Sequence, residues 1–154
     1  MAKIPESLRL SNSEVDKLMT YETRLRIATI GPGEKINLTP MTFGWAEGKV
    51  YIFGRGQKIA NLRRNPIATV LLDIGDSWKE LQGVMMHGSA KVLETIEEEE
   101  LDAGLARAML NLGEKSGLKK EGNTVPYKAT ASGRSRRWIV FESSDVVSWN
   151  NQQL

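Results

Sequence analysis

The stretch GRGQKIANLRRNP, Gly54 to Pro66, gathers four basic residues, Arg55, Lys58, Arg63 and Arg64, and no acid. The whole chain of 154 residues carries a formal charge of only +2. The chemistry such a cluster offers is anion binding. The run reads as a short helix from Gln57, closed at Asn65-Pro66 because a residue before proline avoids the helical region. A helix starting there aims free backbone N–H groups at whatever lies at its start. Arg55 and Lys58 flank that start, and Gly54 and Gly56 let the backbone come close. Amides, a point-charge ammonium and a forked guanidinium are the parts of a phosphate site. A basic helix that merely keeps the surface soluble has the same composition. Arg63 and Arg64 are neighbours on a helix and cannot share one face. At least one of them is expected to do something else, such as pair with an acid.

Other chemistry is sparse. His87 is the only histidine, and in VMMHGSA it reads as a hydrogen-bonded strand residue. A Ser-His-Asp set is not defended by its spacing. With no cysteine, no HxxxH and no aspartate-rich loop, no metal site is indicated. Glu97 to Glu100 read as a solvated helix start, suited to the macrodipole. Neither GxGxxG nor GxxxxGK[ST] is present. Any reaction is therefore expected to be carried by a bound cofactor.

Elements that would position these groups follow from the pattern. Ser11 with Glu14 three residues on is a capping-box spacing, and Val15, Leu18 and Met19 share a face of the helix that follows. RLRIATI is a strand, Gly31-Pro32-Gly33 a turn. INLTPMTFGWAEGKVYIFG reads as two strands around a Glu47-Gly48 turn. Pro40 inside the first of them requires an edge or locally open strand. IATVLLDI is a buried strand, and LQGVMMHGSAKVLE a long one, bent or bulged at Gly83 and Gly88. TIEEEELDAGLARAMLNLGEK reads as the longest helix, residues 116–135 as a long loop, RRWIVFE as a last strand and SSDVVSWNNQQL as a tail. The sum is mainly β: one domain over residues 1–154, about six antiparallel strands and three helices, arranged as a small barrel with peripheral helices. Hydrophobic content of 40% and charged content of 26% fit a soluble globular chain. No run is long enough to span a bilayer and the start does not read as a signal peptide. The absence of cysteine fits a cytoplasmic location.

Arg26 to Glu94 resembles the pyridoxamine 5′-phosphate oxidase-like split β-barrel family. It is most like the branch that uses the deazaflavin coenzyme F420 in actinobacteria. The resemblance rests on a strand ending ATIG, a strand with a central proline, the run K-x-x-N-L-R-R-x-P, and G-x-x-x-x-G-x-A. The tail VVSWNN adds to it. It implies that Lys58 contacts the cofactor phosphate, with Arg55 beside it. It implies that Pro40, Met41 and Thr42 lie against the tricyclic ring, which would explain a proline within a strand. Asn61 would orient the phosphate loop or cap locally. Trp78 would sit near a dimer seam, reaching the partner's cofactor or anchoring the interface. The family forms homodimers with two cofactor sites between subunits.

Two cofactors share the phosphate site. FMN ends there, whereas the deazaflavin continues into a polyanionic tail and needs a longer positive groove. One of Arg63 or Arg64, with Lys119, Lys120, Arg134, Arg136 or Arg137, is a candidate to extend it. The K-x-x-N-L-R-R helix also resembles the deazaflavin branch, so coenzyme F420 is favoured and FMN is the alternative. The implied reaction is hydride transfer to a conjugated small molecule such as an enone or quinone. Tyr127, His87, Lys49 or water are candidate proton donors. The loop of residues 116–135 is a candidate to shape the substrate pocket. A non-catalytic cofactor carrier is a reading of another class. A nucleic-acid-binding barrel is disfavoured by an aromatic content of 6%.

Overall fold

The computed structural model describes residues 3–117 and 136–154. Seven antiparallel strands form one curled sheet, ordered β2-β1-β5-β6-β7-β4-β3. They are β1 (Arg24–Ile30), β2 (Ile36–Thr42), β3 (Gly44–Ala46), β4 (Lys49–Gly54), β5 (Ile67–Ile74), β6 (Gln82–Leu93) and β7 (Arg137–Asn150). Four α-helices accompany them: α1 (Asn12–Tyr21), α2 (Gln57–Arg64), α3 (Ile96–Leu101) and α4 (Leu105–Lys115). Alternating inner residues such as Leu25, Ile27, Val70, Leu72, Val84 and Met86 build a shared core with Phe43, Val50, Ile52 and Phe141. A second cluster, centred on Trp138, Tyr51 and Leu112, packs α4 against β3 and β4. The result is a split half-barrel, mainly β as expected.

Several local signals hold. Ser11 and Glu14 form the reciprocal capping box of α1. Glu47 and Gly48 take positive φ in the β3–β4 turn, as a tight hairpin requires. The β6–β7 register shifts between His87 and Gly88, the expected bulge. Pro40 sits on β2, the end strand of the sheet, where a missing N–H is tolerated.

The count of six strands and three helices is corrected to seven and four among the described residues. The strand expected across residues 36–46 breaks at Phe43: β2 pairs with β1, while β3 turns to pair with β4. A side chain at Gly44 would collide with the α4 backbone at Ala108, so this crossing needs glycine. The expected long helix breaks into α3 and α4 because Asp102 Oδ1 accepts from the N–H groups of Gly104 and Leu105 and from the Tyr51 hydroxyl. An aspartate answering backbone donors starts a helix instead of continuing one. Most of the expected tail is strand, since β7 runs through to Asn150 against β6, and one short 3-10 turn, Asn151–Gln153, follows it. Glu99 is buried, not solvated as its neighbours suggested. Most of the expected pocket-shaping loop, with Lys119, Lys120, Tyr127 and Arg134, lies outside the described residues.

The α1–α4 junction carries a buried cation. Lys115 Nζ donates to the Met19 carbonyl at 2.9 Å and lies 3.6 Å from the centre of the Phe43 ring. Burial pushes its ammonium down to about 7, with Glu22 opposing. The folded state therefore sheds a proton that the unfolded chain keeps up to its ordinary value near 10.5. Stability is expected to rise with pH across that interval, and the penalty to be complete below it. Urea unfolding at pH 7 and pH 9 should show this rise, and Lys115→Met should flatten it. An equal pH response in both proteins would refute the assignment.

Candidate functional site

Gly54 ends β4 opposite Arg137 of β7, and α2 begins three residues later. Gly56, the residue before α2, has φ 83° and ψ −148°, a conformation open only to glycine. No side chain caps the helix N-terminus, and α2 itself offers no partners to its first amides. The Lys58 side chain folds back over this turn: it is 9% exposed and Nζ donates to the Arg55 carbonyl at 2.9 Å. Burial, and then the nearby Arg55 guanidinium, hold its ammonium below the ordinary lysine value. Among the described residues no carboxylate is paired with Lys58 or Arg55. Two cations are thus held together at a helix start, with no anion paired to them among the described residues.

The cradle continues onto β2. A Cβ at Gly54 would sit 3.3 Å from Lys58 Cδ and 3.7 Å from Met41 Cε. Gly54, Lys58 and Met41 therefore meet where β2 approaches β4, at the split in the barrel. Met41 shares the inner face with its cross-strand partner Leu25. Pro40 and Thr42 alternate to the outer face and are exposed. Thr39, two residues before Met41 on the inner face, was not singled out by sequence; its hydroxyl is buried and has no hydrogen-bond partner. Only the three-dimensional surroundings of this one oxygen mark it.

Asn61, fully buried, locks α2 to β1. Its amide donates to Thr29 Oγ1 at 3.0 Å, while its carbonyl accepts from Gln57 Nε2 at 2.7 Å and from Arg64 at 3.2 Å. Arg64 also donates to the Ile30 carbonyl, and Arg63 forms a two-pronged pair with Glu94. Both arginines are thus committed to the fold, and α2 does not extend the positive groove beyond Lys58. Arg137, the first residue of β7, instead lies opposite Gly54, with Arg136 just before it.

Trp78 is not brought to this cluster within one subunit. It follows β5 at the end remote from α2 and is 69% exposed. Lys49 lies at the far end of β4 from Gly54, 4.0 Å from Glu142. His87 pairs with Thr69 Oγ1 at 3.0 Å, the structural hydrogen bond expected of it. Among the described residues no helix is long and apolar enough to cross a membrane, and no cluster of three or more His, Asp or Glu could hold a metal ion.

A phosphorylated ring cofactor fits what is present: a cationic pair with no counter-ion among the described residues, an uncapped helix start, and glycine where a side chain would crowd the cradle. The solved structure of the conserved hypothetical protein Rv2991 from Mycobacterium tuberculosis is 24% identical, covers 99% of this chain and 92% of its own, and superposes with a TM-score of 0.76. A FAD-binding protein from Mesorhizobium loti is 19% identical over 90% of this chain and 94% of its own, with a TM-score of 0.66. The heme storage protein HutZ from Vibrio cholerae is 11% identical over 92% and 97%, with a TM-score of 0.64. These likenesses establish the fold. No curated protein matches the sequence. The family model described as pyridoxamine 5′-phosphate oxidase matches residues 11–149, nearly the whole chain, and the chain belongs to that family.

Proposed function

We propose that this protein is an oxidoreductase holding a phosphorylated flavin-type cofactor, FMN, for hydride transfer with a conjugated small molecule. The observation that carries this reading is the buried Lys58 beside the exposed Arg55, with no carboxylate paired to either among the described residues. Lys58 and Arg55 would hold the phosphate with charge-assisted hydrogen bonds, and the α2 amides would add to them. The β2 segment Pro40 to Thr42 would border the ring, and Asn61 would keep α2 in place. When bound, such a cofactor supplies two-electron chemistry, so the chain needs no nucleophile of its own. Its tasks are to bind, orient and exclude water.

FMN is preferred over the deazaflavin because Arg63 and Arg64 are committed elsewhere, and the Mesorhizobium relative is a flavin-binding protein. Coenzyme F420 stays as the second reading on one observation, the position of Arg137 opposite Gly54 with Arg136 just before it. Fluorescence titration of the apo protein with FMN and with coenzyme F420 tests both. Tight FMN binding is the expected outcome; tight binding of the deazaflavin alone would shift the assignment to it. If neither binds, the cofactor reading fails. Binding without turnover over a panel of electron-poor acceptors would make the protein a carrier, a role with precedent on this fold in the heme storage relative.

The working unit is proposed to be a homodimer. Leu38, Ala28, Thr69 and His87 lie side by side across four strands of the outer sheet face. Ile36, Leu38 and Ile67 on that face are 65%, 62% and 56% exposed, a contiguous apolar surface of the kind that marks an interaction site. Trp78 can reach a cofactor site only on a second copy. Analytical ultracentrifugation should show a dimer that Leu38→Lys converts to a folded monomer. A wild-type monomer at tens of micromolar would refute the dimer.

A further inference from the structure

The hydroxyl of Thr39 has no role in holding this fold together. Thr39 lies opposite Ile27 in the β1–β2 ladder, and Ile27 is wholly buried, so the Thr39 side chain is on the core face. Its Oγ1 is shielded from solvent and makes no hydrogen bond. Buried hydroxyls are almost always paired, and one left over asks for an explanation. A strand residue that needs only β-branched bulk on an apolar face is served by valine, which has nearly the same shape.

Its neighbours say what the oxygen faces. Two residues before it, Asn37 lies opposite Thr29, whose hydroxyl accepts from Asn61 of α2. Two residues after it, Met41 meets Gly54 and Lys58 in the cradle. Residues two apart on a strand share a face and stand about 7 Å apart. Thr39 therefore lies on the inner face of β2 between Asn37, whose cross-strand neighbour Thr29 is bonded to Asn61, and Met41, which meets Lys58 over Gly54. Asn61 and Lys58 are themselves one helical turn apart. These polar groups of α2 have partners in the chain or a charge to offer, and the Thr39 hydroxyl has neither.

We propose that the Thr39 hydroxyl is a direct contact of the phosphate-bearing end of the bound ligand, left unpaired in the apo protein so that the ligand can pair it. This rests on the reading of the Lys58 cradle as a phosphorylated-cofactor site. The hydroxyl is a binding group and moves no proton in the reaction.

The arrangement has a two-part signature that a structural threonine lacks. Thr39→Val removes the oxygen and keeps the shape. In the apo protein it removes an unpaired polar group, so the melting temperature should rise, by about 2–4 °C. In the complex it removes a hydrogen bond, so the FMN dissociation constant should rise about tenfold. Thr39→Ser keeps the hydroxyl; it should bind FMN within about threefold of wild type and melt no higher. The experiment is thermal denaturation of the three apo proteins together with fluorescence titration by FMN, repeated with coenzyme F420. A Val variant that binds as wild type does, or that melts below it, overturns the proposal; the second result would show the oxygen already satisfied in the apo state. Failure of the wild type to bind either cofactor would instead bring down the cofactor reading and this contact with it.

Discussion

Lys58→Ala is expected to weaken FMN binding by roughly ten- to hundredfold, the scale of about 1.5–3 kcal/mol for a lost hydrogen bond to a charged group, without destabilising the apo protein. The two halves come from one geometry. Lys58 is buried beside Arg55, and among the described residues its ammonium has one hydrogen-bond partner, a backbone carbonyl. Desolvation and like charge both disfavour its ammonium. A lysine depressed in the fold costs stability while it is charged, through neutral pH, and the cost disappears only at high pH where it is neutral in both states. Removing it relieves that cost in the apo protein and forfeits the attraction once a phosphate is bound. Binding residues commonly trade stability for function in this way. Calorimetric titration with FMN, alongside thermal melts of apo wild type and variant, gives both numbers. An unchanged dissociation constant would move the phosphate away from α2. A large fall in melting temperature would make Lys58 structural.

How much of this was legible in the sequence depends on the length scale of the force concerned. The basic, glycine-flanked turn before α2 was readable because it is local: Gly54, Arg55, Gly56 and Lys58 lie within one turn of chain, and the helix start follows from their order. The edge position of Pro40 was readable for the same reason, since a missing N–H restricts a strand wherever it falls. The break at Phe43 was not, because Gly44 is required by the α4 backbone some sixty residues on, at Ala108. Nor was the α3–α4 break, where Asp102 answers Tyr51 across the fold. The fates of Arg63 and Arg64 were half legible. Adjacency on a helix denied them a common face, but Glu94 and the Ile30 carbonyl become their partners only when α2 is laid over β1 and β6. Thr39 gave no sequence signal at all, because an unpaired oxygen is defined by what surrounds it.

Asn61→Ala is expected to do the opposite of Lys58→Ala: it should destabilise the apo protein by about 2–4 kcal/mol, from hydrogen bonds worth about 1 kcal/mol each and the buried groups left unpaired. Asn61 is 0% exposed and makes three hydrogen bonds through its amide. Its donor reaches Thr29 on β1, and its acceptor gathers Gln57 from the first turn of α2 and Arg64 from the last. Alanine would strand the Thr29 hydroxyl in the core and free both ends of the helix from a common anchor. The α2 N-terminus would then lose its fixed aim, and Lys58 its position relative to Gly54 and Met41. Binding should weaken as a consequence, because the phosphate site would have to be organised at the ligand's expense. The two variants therefore separate contact from scaffold. Lys58→Ala should lower affinity at unchanged or higher melting temperature, and Asn61→Ala should lower both, with the melting temperature falling by roughly 5–15 °C. Excess FMN should recover part of that loss for Asn61→Ala, since the charges that hold the phosphate are still present. Thermal melts with and without saturating FMN decide this. A variant that melts as wild type does would show that α2 is held by Arg64 and its apolar face alone.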